Sequence, residues 1–131
     1  MSMSVLRCLA VILAVLAVAS CRGATVYNVE KASLTTTKPA STAQIEAAIK
    51  RAGASLGWQL KQVSPGHMEG RLPVRSHIAV ADIYYTAKDF SIKYKDSSNL
   101  NYDAAANTIH SNYNGWIQNF EKAIVAQAAT L

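Results

Sequence analysis

The sequence predicts a two-layer α+β domain, helix–four-stranded antiparallel meander–helix, with both helices on one face of the sheet. Three observations carry this. Residues 41–56 and 104–128 repeat apolar side chains at spacings of three and four, the helical period. Between them, four short runs alternate apolar and polar residues, the period of a strand with one buried face. Strands joined by short turns pair with their sequence neighbours. Two helical stripes then share one sheet face as the surface on which to bury themselves.

The first helix is expected to start at Ser41, because Ser41 and Gln44 have the spacing of a capping box. Ile45, Ala48, Ile49, Ala52 and Leu56 form its apolar stripe, and Gly57 supplies the left-handed residue that ends helices. Trp58 to Gln62 alternates as a first strand, and Ser64-Pro65-Gly66 is a turn. Met68, Gly70 and Leu72 alternate with Glu69 and Arg71, and Pro73 ends that strand or sets it at an edge. His77 to Tyr85 is the longest strand candidate. A hairpin loop at Thr86–Asp89 leads to Phe90, Ile92 and Tyr94, which alternate with Ser91, Lys93 and Lys95. Asp96 to Asp103 is polar and reads as a loop. The last helix is expected over Ala104–Ala128, with Asp103 as its cap and Ile109, Tyr113, Trp116, Ile117, Phe120, Ile124 and Ala128 along one face. The folded domain is thus expected over residues 42–128.

The sheet face follows from the chemistry of the third strand. Its even positions include Asp82, whose burial is costly without a partner. Its odd positions include Ala79 and Ala81, small enough for a helix to approach. The odd set is therefore expected under the helices. That leaves Ile78, Val80 and Tyr84 on the open face among Arg71 and Lys93. An exposed apolar strip rimmed by charge is a candidate partner surface; with the face choice reversed, the same residues would be core.

The amino-terminal end follows different rules. Arg7 precedes an unbroken apolar run of 11 residues, Cys8 to Val18, and then Ala19, Ser20 and Cys21. A basic start, a short apolar run and small residues make a secretory signal. The run is too short for a membrane span, which needs about 20 residues. Val18-Ala19-Ser20-Cys21 resembles the lipobox of bacterial lipoproteins. The resemblance implies removal of residues 1–20, a diacylglycerol on the Cys21 thiol and an acyl chain such as palmitate on its amino group. It also implies a place in the cell envelope, at the outer membrane because residue 22 is Arg rather than Asp, and the domain is expected to face the periplasm. The alternative is an ordinary secretory cleavage after Ala17-Val18-Ala19. Residues 21–41 read as a lipidated flexible tether. A 20-residue coil has a root-mean-square span of about 25 Å and a stretched reach of about 70 Å. Within it, Val26-Tyr27-Asn28-Val29 alternates slightly, as an edge strand would.

The charge balance narrows the partners. The chain has 13 Lys and Arg against 8 Asp and Glu, a formal net charge of +5, and cleavage before Cys21 removes only Arg7. This excess suits acidic envelope surfaces. It contains no basic stripe of the kind that reads nucleic acid, so no nucleic-acid partner is expected. The membrane, through the anchor, and an envelope protein are the expected partners. With Cys8 in the signal and Cys21 lipidated, no thiol is left for catalysis, a disulfide or zinc.

A second resemblance covers most of the domain. Arg75-x-His77, Tyr94-x-Asp96-Ser97, Asn99-Leu100 and Ile109-His110-x-x-Tyr113-Asn114-x-Trp116 resemble a group of small uncharacterised proteobacterial lipoproteins. It implies envelope location and no particular activity. Among chemical candidates, His67, His77 and His110 are far apart and lack HxH, HxxxH or HExxH spacing, so no metal site and no cofactor is expected. Ser97 and Ser98 lack the strained turn of a serine nucleophile, and Glu46, Glu69 and Glu121 fall on separate elements, so no catalytic residue is assigned. Two functions follow: a non-catalytic accessory domain that contacts an envelope protein through Arg71, Ile78, Val80, Tyr84 and Lys93, or a module that binds a small or polymeric envelope ligand at Arg75, His77 and His110. A small enzyme is the third reading and would need His with Ser or Asp side chains to converge.

Overall fold

The computed structural model describes residues 23–131; the expected signal segment and Cys21, the expected lipidation residue, lie outside the described residues. The elements in order are β1 (Ala24–Thr25), β2 (Val29–Ser33), α1 (Thr42–Ser55), β3 (Gln59–Ser64), β4 (His67–Val74), β5 (His77–Tyr85), β6 (Asp89–Ser98), β7 (Thr108–Ile109) and α2 (Ser111–Ala128). Among the described residues the fold is α+β: two helices, a five-stranded antiparallel sheet in the order β2-β6-β5-β4-β3, and a two-stranded sheet of β1 and β7.

Helix α1 is set by its own sequence. Ser41 Oγ accepts from Gln44 N at 3.2 Å, and Ser41 N donates to Gln44 Oε1 at 2.9 Å, the reciprocal capping box. At the other end Gly57 takes φ +89. Trp58 N donates to Gly53 O and Gly57 N to Ala54 O, the paired bonds of a Schellman stop. The chain then turns Trp58 under the sheet. Its ring stacks on Phe120 of α2 at 5.1 Å. It also lies against Gly70 of β4, where an added Cβ would sit 3.0 Å from Trp58 Cε3.

Strands β3 to β6 follow one another as antiparallel neighbours, in a sheet of five strands rather than the expected four. Ala79, Ala81, Ile83 and Tyr85 of β5 are buried with Met68, Leu72, Phe90 and Ile92, in one core with Ile45, Ile49, Tyr113, Ile117, Phe120 and Ile124 of the helices. Pro73 is tolerated within β4 because β3 begins only at Gln59, opposite Arg71; beyond that point β4 is locally an edge. Strand β6 runs on to Ser98, through residues expected to be loop. A bulge at Lys95 makes this possible: Ala81 pairs with Tyr94 but Val80 with Asp96.

Two expectations at the domain's margins are corrected. Residues 24–33 do not form a flexible tether. Strand β2 pairs with β6 as the fifth strand, and Val26 and Val29 are 7% and 3% exposed. The Asn114 side chain holds this segment to α2, accepting from Tyr27 N and donating to Thr25 O, both at 2.8 Å. Further along, Leu34 N donates to Lys88 O, and Thr37 N and Lys38 N donate to Leu131 O. The second correction is the start of α2, which is Ser111 rather than Ala104. Asp103 and Thr108 exchange backbone hydrogen bonds around a tight turn, with Asn107 at φ +52. Thr108 and Ile109 then pair with β1. The cap is His110, not Asp103: its Nδ1 accepts from Asn112 N at 3.1 Å. Asp103 Oδ1 instead accepts from Ala106 N inside the turn.

Candidate functional site: the open sheet face

Both helices pack on one side of the five-stranded sheet, so the registers decide what the other side presents. Opposite Tyr84 lie His67 on β4 and Ser91 on β6. One step along, Lys61, Glu69, Asp82 and Lys93 form a row across β3, β4, β5 and β6. The next row is Gln59, Arg71, Val80 and Asp96, followed by Pro73, Ile78 and Ser98. The candidate partner residues Arg71, Ile78, Val80, Tyr84 and Lys93 thus share one face. Arg71 and Lys93 are exposed, Tyr84 is 42% exposed, and Ile78 and Val80 are half-buried.

The apolar strip is not continuous, because a charge network crosses it at Asp82. Asp82 Oδ1 meets His67 Nε2 at 2.8 Å and Lys95 Nζ at 4.0 Å. Lys95 also binds Glu69, which holds the Lys95 ammonium above its ordinary pKa. Lys93 reaches Glu30 at 3.5 Å. The His67 ring stacks on Tyr84 with centroids 4.4 Å apart, which fixes the exposed phenol ring over β4. These partners explain how Asp82, with only 17% of its side chain exposed, is tolerated. From sequence, His67 was weighed only as a metal ligand and was not placed on this face. Only cross-strand register places it opposite Tyr84, and register is not visible in spacing along the chain.

The second candidate set, Arg75, His77 and His110, lies at one end of the sheet. The His77 and His110 rings are 6.1 Å apart, and Trp116 is 6.2 Å from His77. Arg75 sits in the β4–β5 turn at φ +53 with its side chain exposed. The hydrogen bonds assign complementary tautomers. His77 Nδ1–H donates to the Asn99 carbonyl at 2.7 Å, which leaves Nε2 as an acceptor. His110 Nδ1 is the acceptor that caps α2, which leaves Nε2–H as a donor. The pair can therefore engage a group that both donates and accepts, such as an amide or hydroxyl. His110 cannot ligate a metal through Nε2 while it caps the helix, and no three His, Cys, Asp or Glu side chains gather among the described residues.

Nearby, Tyr94 stacks on Tyr102 at 4.1 Å and meets Tyr113 edge-on at 5.5 Å. Tyr94 OH and Ser97 Oγ share a hydrogen bond of 2.7 Å, so Ser97 is held by a phenol rather than by a histidine. Burial pushes the Tyr113 phenol pKa far up, and its hydroxyl has no hydrogen-bond partner among the described residues. Asn99, Asn101 and Asn107 all take positive φ, so these asparagines shape turns. No helix among the described residues is long and apolar enough to cross a membrane.

No protein-family model, curated protein or solved structure matches this chain. The functional reading therefore stands on the residues themselves.

Proposed function

We propose that the protein is a lipid-anchored component of the bacterial cell envelope, a non-catalytic accessory domain that binds another envelope protein through its open sheet face. The anchor is Cys21 behind the lipobox-like Val18-Ala19-Ser20, at the periplasmic side of the outer membrane. One observation carries the binding surface: a five-stranded sheet leaves one face without helix cover, and there Tyr84, Ile78 and Val80 lie among alternating rows of charge. Aromatic and arginine side chains on a rigid sheet are the anchors that interfaces use most. Tyr84 is held by its stack on His67, so little side-chain freedom is lost on contact. The flanking Glu69, Lys93, Lys95 and Asp96 give the rim charge complementarity and register. The test is crosslinking in cells at native expression, with an Arg71→Ala/Ile78→Thr/Tyr84→Ala variant in parallel. A stoichiometric partner, lost in a variant that keeps its melting temperature, supports the reading. A partner retained by the variant removes the open face from consideration.

A second reading has one observation in its favour, the approach of His77, His110 and Trp116 at one end of the sheet. There the domain would bind a small or polymeric envelope ligand, with Arg75 at the margin. Ligand-dependent thermal stabilisation that is lost in His77→Ala, and not in the open-face variant, would favour it.

A further inference from the structure

We infer that the domain sits directly on the phospholipid headgroups, with no intervening tether, and that the end of the sheet carrying Gly23, His110 and the Asp103–Asn107 turn is the membrane-facing surface. This rests on the lipidation of Cys21 proposed above.

Chain length decides the geometry. At Gly23 an added Cβ would stand 2.7 Å from the Ile109 carbonyl oxygen, so the backbone is already packed against β7. Ala24 and Thr25 pair with Ile109 and Thr108, Val26 N donates to Asn107 O, and Asn114 clamps Thr25 and Tyr27. Only Arg22 stands between Gly23 and Cys21. Two Cα steps span at most about 7 Å. The headgroup layer on each side of a bilayer is about 6 Å thick. An acylated Cys21 at the edge of the hydrocarbon therefore holds Gly23 within or just above the headgroups. A free tether of 20 residues would have allowed a standoff of about 25 Å.

The surface around Gly23 suits that position. Leu100 O accepts from His110 N, and His77 is bonded to the adjacent Asn99, so both histidines and the Arg75–Ser76 turn belong to this end. Tyr102 is 41% exposed and Trp116 half-buried, ring types that favour the membrane–water boundary. The contact is set by the covalent anchor rather than by attraction to anionic lipid. It persists in neutral phosphatidylcholine and at high salt.

The test uses the mature, acylated protein in phosphatidylcholine nanodiscs doped with a nickel-chelating lipid. Spin labels are placed at Ala105→Cys, exposed in the membrane-facing turn, and at Lys88→Cys, exposed in the hairpin at the far end of β5. The expected result is strong broadening at Ala105, little at Lys88, and loss of the Ala105 effect when ten Gly/Ser residues are inserted between Arg22 and Gly23. With acylation confirmed by mass, equal broadening at the two positions or no effect of the insertion overturns the inference and leaves the anchor intact. An unmodified Cys21 in the mature protein overturns both.

Discussion

Asn114→Ala gives the sharpest check on whether the amino-terminal segment belongs to the fold. One side chain serves two backbone groups 89 and 87 residues away, Thr25 O and Tyr27 N, each at 2.8 Å. Alanine leaves both groups without that partner. A net hydrogen bond contributes about 1 kcal/mol, and a buried group left unsatisfied costs about 1–3 kcal/mol. Tyr27 is half-buried, and Thr25 is exposed and can turn to water, so the Tyr27 amide dominates. The expected loss is about 1.5–2.5 kcal/mol in urea unfolding of the protein. The loss should be local first. Backbone amides of β1 and β2 should exchange faster, while those of β4 and β5 are slowed to nearly the wild-type extent. A loss under ~0.5 kcal/mol with unchanged exchange in residues 24–33 would refute the docking of this segment, and with it the absence of a tether.

Other outcomes follow from the same geometry. Tyr113→Phe should leave stability unchanged or raise it by up to about 1 kcal/mol, because it removes a buried hydroxyl with no partner among the described residues; a loss above that in thermal unfolding would mean the hydroxyl is bonded. The phenols of Tyr113, Tyr85 and Tyr94, raised chiefly by burial, and of Tyr27, raised chiefly by its bond to Glu121, all sit above their ordinary value of 10.0. The unfolded chain then loses these protons first, so stability should be level to about pH 10 and fall above it, by up to ~1.4 kcal/mol per pH unit for each strongly shifted phenol. Melting temperatures from pH 8 upward measure this, and Tyr113→Phe should flatten the fall. Ile78→Glu should cost under ~1.5 kcal/mol and leave the circular dichroism spectrum native, whereas Ala81→Glu, on the helix side, should prevent folding; equal damage from both would mean that the open face is core. His110→Ala should cost about 1 kcal/mol through the lost cap, and His110→Asn should restore most of it.

What could be read from sequence was what local chemistry controls. The capping box at Ser41 and Gln44 and the stop at Gly57 involve residues within a turn of one another, and both occur as expected. The face choice was legible because a single charge, Asp82, against two alanines decides which side of β5 meets the helices. Non-local pairing was not legible. Strand β2 has the sequence Val-Glu-Lys-Ala-Ser, too short and polar to declare itself, and it becomes a strand because β6 offers an unpaired edge. Ile109 shares the helical spacing of α2, yet its burial comes from the pairing with β1, and this misdated the helix start by two turns. In the candidate sites, His77 and His110 were grouped from sequence as ligand-binding candidates, and their rings lie 6.1 Å apart. The His67–Asp82–Lys95 network was not, because it depends on cross-strand register and on the Lys95 bulge.

The most direct measurement of the central claim is site-specific photocrosslinking in living cells, with the crosslinker at Tyr84 on the open face and, as the opposite control, at Val125, exposed on α2. The account predicts one discrete crosslinked species from Tyr84 and none from Val125. A species from Val125 with nothing from Tyr84 would contradict it and move the working surface to the helices.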